Sequence, residues 1–317
     1  MLPLGTVSIV QTFAAQLRGK GDLPAAYRHA HHGLLLSLLS SAPFLAAIPF
    51  LDRAVSAIGV APEVQAPMAA YLAVRVLSVP AMLGLEALGG WYGGLGNTRV
   101  ALLGGLLTMT ANLAGNALLI LPRFGLPGYG VVGAAWASTI ASWVGFVAVL
   151  GLFRRGIGHD LPRASFAFVP EELRRVLRFG LPSGLNYFVE FTAFVAFINV
   201  VVGHLGTPTL AAFNIVLQVN SVSFMPAIGV ASAGAILCGE AIGRGDREAV
   251  PAIVQLTLRI TTAWMLAMAA VYVLAPRAIL SLFDGGGVAS IAMLETGATM
   301  LALSALWQLF DAIAMTH

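Results

Sequence analysis

The sequence predicts an all-α, polytopic membrane protein whose helices form two lobes related by an internal repeat. Three observations predict it. Of the 317 residues, 58% are hydrophobic and only 10% are charged, where a soluble domain carries roughly 25% charged residues; the mean hydropathy is +0.88. The apolar residues gather into nine long runs, and the basic residues gather into alternate loops between them. A soluble fold of this composition would expose large apolar patches. In a bilayer the same residues meet lipid, and the unit of structure is a spanning helix of about 20 apolar residues.

The runs cover approximately residues 1–17, 33–51, 68–92, 100–121, 131–153, 179–202, 208–238, 250–275 and 289–315. They are too long for the roughly ten-residue alternating segments of a membrane barrel, so each is expected to be helical. Gly and Pro punctuate several runs, which membrane helices tolerate. The loops after the first, third, fifth and seventh runs hold Arg18, Lys20, Arg28, Arg99, Arg154, Arg155, Arg163, Arg174, Arg175, Arg178, Arg244 and Arg247, and the other loops hold only Arg53, Arg123 and Arg277. Twelve against three puts the first set in the cytoplasm of a multi-pass protein of the inner (plasma) membrane. The first run has no basic n-region or small-residue cleavage pattern, so it is not read as a signal peptide. A single cysteine, Cys238, excludes an internal disulfide and a cysteine-based zinc site.

The longest hydrophilic stretch, 154–178, reads as a cytoplasmic linker between an N-terminal lobe, 1–153, and a C-terminal lobe, 179–317. A repeat supports two related lobes. Gln16-Leu-Arg-Gly19-Lys-Gly21-Asp22 resembles Glu240-Ala-Ile-Gly243-Arg-Gly245-Asp246, an offset of 224 residues, and Glu86 stands to Asp311 at an offset of 225. Gly-basic-Gly-Asp is also a generic turn; the similar spacing to a second acid favours a repeat. Two related halves with the substrate site between them are a common plan of secondary transporters.

Most acidic residues lie in loops or at helix ends, but Glu86, Glu190 and Asp311 lie well inside apolar runs. An ionised acid at a helix centre costs about 2.5–3.5 kcal/mol on insertion scales, so such residues usually face a cavity and mark an ion or substrate path. An acid that alternates between protonated and cation-paired forms is a simple basis for coupling to H+ or Na+. Asn186, Tyr187, Phe194 and Phe197 share a helix face with Glu190, and Trp307 and Gln308 share one with Asp311. Acid beside aromatic rings suits a small organic cation. Thr108, Asn112 and Asn116 form one polar stripe, and Asn214, Gln218 and Ser221 another; cavity lining and interhelical hydrogen bonding both fit them. His29, His31 and His32 are expected on a solvated face of a basic turn, and no metal is expected beyond Na+ at Glu190 and Asp311. The Gly93–Arg99 stretch lacks the Lys-Ser/Thr ending of a phosphate loop. With no reactive cluster, no cofactor motif and no basic run for nucleic acid, an enzyme and a nucleic-acid binder are not expected. The expected partners are the lipid bilayer and the organic cation.

The chain resembles the multidrug and toxic compound extrusion (MATE) family and its NorM-like branch. Ala14-Ala15-Gln16 through Gly21-Asp22 is similar to the end of the family's helix 2, and Gly93 to Arg99 to its helix 4–5 turn. Asn112, Asn116 and Phe124-Gly-Leu-Pro-Gly128 with Gly130, Gly133 and Ala134 resemble helices 5 and 6. Gly180-Leu-Pro182 with Glu190 resembles helix 7, and Phe310-Asp311-Ala312 helix 10. The resemblance implies two six-helix lobes that export organic cations against proton or sodium entry, with Glu190 and Asp311 as the coupling acids of the C-terminal lobe. It implies that the chain covers helices 2 to 10, so that helix 1 with its acid and helices 11 and 12 are expected to be missing. A truncated, inactive fragment is therefore one alternative reading. The other is a flippase for a lipid or polysaccharide precursor in the same superfamily. A flippase calls for a basic cavity, whereas the ionisable residues within the runs are mainly acidic, with Arg75 the exception. Glu240 stands where the family usually has glutamine.

Overall fold

The computed structural model describes residues 1–58, 61–122, 127–159, 168–205, 207–283 and 288–316. Among these there are twelve α-helices and no strand. Seven helical stretches are long and apolar enough to cross a membrane, eight if one bent pair counts as a single span. The chain is a multi-pass membrane protein. It divides into two compact units, Met1–Tyr187 and Phe188–His317.

The first unit comprises α1 (Leu2–Lys20), α2 (Leu23–Ala46), α3 (Leu51–Ala57), α4 (Pro62–Val76), α5 (Val79–Gly94), α6 (Thr98–Leu119), α7 (Gly130–Arg155) and most of α8 (Pro170–Phe197). The third apolar run is broken rather than continuous: α4 and α5 meet at 40°. Pro80 offers no N–H to the turn before it. Side chains of α7 take up carbonyls at the break, the Thr139 hydroxyl donating to Val74 O at 3.0 Å and the Trp143 indole to Leu77 O at 3.0 Å. This is how a membrane helix accommodates proline without stranding polar backbone. α1 covers the first run but is not among the spans, since Gln11, Thr12 and Gln16 dilute its apolar content.

α8 starts nine residues before its apolar run. Pro170 opens it and Glu171 and Glu172 lie in its first turn, where proline's fixed φ and negative charge both suit a helix N-terminus. The expected linker is therefore helical at both ends, through Arg155 in α7 and from Pro170 in α8. Arg163 lies outside the described residues, as do Arg123 and the Phe124–Leu126 part of the family-like stretch.

The core of the first unit joins Val10 and Ala14 of α1, Ala26, Tyr27 and Ala30 of α2, Leu88, Trp91 and Tyr92 of α5, and Val149 and Phe153 of α7. Elsewhere small residues bring helices close, as membrane packing favours. A Cβ on Gly94 would fall 2.8 Å from that of Ala14, and one on Gly145 would fall 2.9 Å from the Gly104 carbonyl oxygen. Packing of α5 on α1 thus accounts for part of the glycine-rich Gly93–Arg99 stretch. A helix stop at Gly96, with φ 76°, accounts for the rest.

The second unit contains the end of α8, then α9 (Thr207–Arg244), α10 (Ala249–Leu274), α11 (Pro276–Ser281) and α12 (Val288–Thr316). Its core joins Val216 and Val219 of α9, Tyr272 of α10, Leu280 of α11, and Leu301 and Ala305 of α12. The Tyr272 hydroxyl donates to Val219 O at 3.0 Å.

The units share a plan. In the first, α1, α2 and α5 pack mutually, with short α3 after α2; in the second, α9, α10 and α12 pack mutually, with short α11 after α10. The repeated turn has the same hydrogen bonds in both copies. Gly21 N–H bonds Arg18 O and Asp22 N–H bonds Leu17 O; Gly245 N–H bonds Ile242 O and Asp246 N–H bonds Ala241 O. Each aspartate then accepts from the N–H three residues on, Ala25 and Ala249, at 3.2 Å. This closure recurs at Gly96 and Gly156, so the turn alone is generic. The shared helix order carries the repeat.

Candidate functional site

Asp311 is half-buried on α12. One turn before it, Gln308 is 3% exposed, and its amide donates to Ser223 Oγ at 3.2 Å and toward Asn220 Oδ1 at 3.4 Å. Ser304 Oγ also donates to Asn220 Oδ1, at 3.2 Å. The Trp264 indole donates to Ser223 O at 2.8 Å and closes the far side. Gln308 Oε1 is buried and has no hydrogen-bond partner among the described residues. A buried polar network thus joins α9 and α12 one turn from a membrane-embedded carboxylate.

Glu190, on α8, is exposed within the second unit and lies within electrostatic range of Asp311. Both predicted acids thus lie in the second unit, on different helices. Asn186, Tyr187 and Phe194 are exposed along the same side of α8 as Glu190, and Trp307 is exposed beside Asp311. The α9 stripe faces elsewhere. The packed side of α9 runs through Ala212, Val216, Val219, Ser223 and Ala227, which leaves Asn214 and Gln218 exposed. The inward polar residues of α9 are Asn220 and Ser223. Their signal was available: Asn220 with Ser223, and Ser304 with Gln308, are polar pairs at helix spacing inside apolar runs.

In the first unit Glu86 is half-buried on α5. Asn112 donates to Ser138 Oγ of α7 at 2.9 Å, and Asn116 donates to Asn112 Oδ1 at 3.1 Å, so the α6 stripe bonds helix to helix. Arg75 ends α4 at the break, with Nη1 buried and unpartnered among the described residues. Glu240 pairs with Arg244 one turn on, at 2.7 Å.

The histidines correct an expectation. They are not on a solvated face: His29 is 3% and His32 0% exposed. Asp22 caps α2 and starts the helix at Leu23, so the basic turn ends before the histidines. His29 stacks near Phe13 of α1, with ring centroids 5.3 Å apart. His31, half-buried, packs on Tyr27 and Phe153. Arg28 beside them forms a fork on Glu172 of α8, Nη2 to Oε1 at 2.5 Å and Nε to Oε2 at 3.1 Å. A separate cavity of about 880 Å³ lies among Arg18, Asn97, Arg99 and His159. It holds none of the predicted site residues, and the cationic side chains around it do not suit a cationic cargo.

A family model described as MatE matches residues 1–118 and 182–317. A probable multidrug resistance protein NorM of Pseudomonas putida is 31% identical over 318 residues, covering 97% of this chain and 67% of the relative. One from Deinococcus radiodurans is 30% identical, covering all of this chain and 69% of the relative. The chain thus spans about two thirds of the length of these relatives. An outward-facing multidrug resistance MATE transporter of the MOP superfamily superposes with a TM-score of 0.89 at 22% identity, over 99% of this chain and 69% of that structure.

Proposed function

Because the chain belongs to the MatE family, we propose that it serves in multidrug efflux across the inner membrane, as an antiporter that exports organic cations against entry of H+ or Na+. The observation that carries this reading is Asp311, half-buried beside the Asn220–Ser223–Ser304–Gln308 network and within electrostatic range of Glu190. Two carboxylates within electrostatic range of each other in a low-dielectric setting repel, and a proton or sodium ion relieves that repulsion. An organic cation relieves it too, and gains the faces of Phe194 and Trp307. Occupants that compete for the same charge give exchange, provided each is bound preferentially in a different state of the protein. In this reading 1–153 and 179–317 belong to the two transport lobes, and the stretch between them lies in the cytoplasm with the other basic loops. The relatives' names, multidrug resistance proteins, support the cargo class.

The test uses membrane vesicles carrying the protein, loaded with a fluorescent organic cation, under an imposed proton gradient and then a sodium gradient. One gradient should accelerate efflux; indifference to both overturns the reading. Arg75 favours a second reading, a flippase, because its Nη1, buried and unpartnered among the described residues, suits an anionic headgroup. That reading requires Arg75→Gln to slow transbilayer movement of a labelled anionic lipid in the same vesicles.

A further inference from the structure

We propose that His29, His32 and Glu172 form a binding site for a divalent transition-metal ion of the zinc class, joining α2 to the first turn of α8 within the first unit. The proposal is independent of the transport reading, since its readout is metal binding. One donor atom from each of the three residues lies within 4.8 Å of the others. Imidazole and carboxylate are ordinary zinc ligands, and two histidines with one glutamate make a three-ligand set that leaves a fourth position for water. The histidines stand three apart on α2 and so share its face.

The surroundings match what ligating groups need. His29 Nδ1 lies 2.8 Å from Ala25 O, so its proton goes to that carbonyl and the lone pair is on Nε2. That atom is buried and has no hydrogen-bond partner among the described residues. A backbone carbonyl that holds the second ring nitrogen is the usual way a metal-binding histidine is oriented. On the other helix, Arg28 Nη2 holds Glu172 Oε1 at 2.5 Å, while Oε2 lies 3.7 Å from His32 Nδ1 and 3.9 Å from His29 Nδ1. Oε2 also accepts from Arg28 Nε, at 3.1 Å, so the fork fixes the carboxylate with Oε2 beside the imidazoles. Zinc bonds of 2.0–2.2 Å in a tetrahedron set neighbouring ligand atoms about 3.4 Å apart, so an ion must draw the donor atoms in from their 4.8 Å spread and take Oε2 from Arg28 Nε. Phe13 and Phe168 flank the rings of His29 and His32. The Arg28 charge opposes the incoming ion, which makes this a weaker site than one built from four neutral or anionic ligands alone. The competing account is structural: the Arg28–Glu172 pair staples the helices and the histidines only fill space.

The experiment titrates Co2+ into the detergent-solubilised protein, prepared without a histidine tag and stripped with a chelator. Visible d–d absorption reports binding, and Zn2+ reports it by displacing Co2+. One ion per chain is expected. His29→Ala and His32→Ala should each weaken Co2+ binding by more than the roughly 10–100-fold typical of losing a supporting partner, while His31→Ala leaves it unchanged. Glu172→Gln keeps the size and the helix start, so it serves if a histidine variant fails to fold; it should weaken binding at least tenfold with an unaltered elution profile. No absorption band in the parent, or a band with undiminished affinity in the His29, His32 and Glu172 variants, overturns the proposal.

Discussion

Trp91→Ala tests the packing of the first unit. Trp91 is fully buried, its indole N–H bonds Ala26 O at 2.7 Å, and its ring centroid lies 4.9 Å from that of Tyr92 and 5.2 Å from that of Phe153. Truncating a buried tryptophan costs about 3–5 kcal/mol in lost packing and cavity formation. In a membrane protein that packing is the main force between helices. The lost hydrogen bond adds about 1 kcal/mol at most, because Ala26 O keeps its place in the helix ladder. At about 2–4 °C per kcal/mol for a unit of this size, the melting temperature should fall by roughly 6–24 °C. Trp307→Ala is the control: with its side chain 67% exposed, little packing is lost, about 0.5 kcal/mol or less. The assay is thermal unfolding in one detergent, followed by soluble, monodisperse protein remaining after heating. Equal melting of the two variants would refute the reasoning.

Other perturbations follow from the same contacts. Asn112→Leu and Ser138→Ala, measured alone and together in a double-mutant cycle, should show coupling of about 0.6 kcal/mol and no more than about 1.7 kcal/mol; zero coupling would mean that the 2.9 Å bond contributes nothing. Gly145→Val should separate α6 from α7 and lower thermal stability, whereas Gly151→Val, where the space is open, should not; equal effects would contradict the close packing. In a Cys238→Ser background, a cysteine replacing Arg247 should react with an impermeant thiol reagent only from the cytoplasmic face, and one replacing Arg53 only from outside. The reverse pattern would invert the orientation.

Helix positions were largely legible because a bilayer imposes one strong requirement, sustained apolar length, and the runs end close to where the helices do. α8 was misplaced by nine residues because its first turns lie beyond the apolar run and are polar, and only Pro170 with two glutamates marks its start. The break between α4 and α5 had a visible cause in Pro80, but proline bends some membrane helices and interrupts others. Asp311 and Glu190 stood out because charge within an apolar run is costly. Asn214 and Gln218 lie on the exposed side of α9 and Asn220 and Ser223 toward its packed side; a helix with polar residues on two flanks does not declare in its sequence which flank is packed. The histidines differ from expectation because three within four residues beside a basic turn look solvated, and only the cap at Asp22 and the packing of α8 near Glu172 bury them.

Glu190 and Asp311 are proposed to couple cation entry to cargo export. The most direct measurement compares gradient-driven efflux of a fluorescent organic cation from vesicles carrying the parent protein, Glu190→Gln or Asp311→Asn, at matched amounts of folded protein. The account predicts that both variants insert and melt like the parent but lose acceleration by the coupling gradient. Gradient-driven efflux at the parent rate in both variants would contradict it.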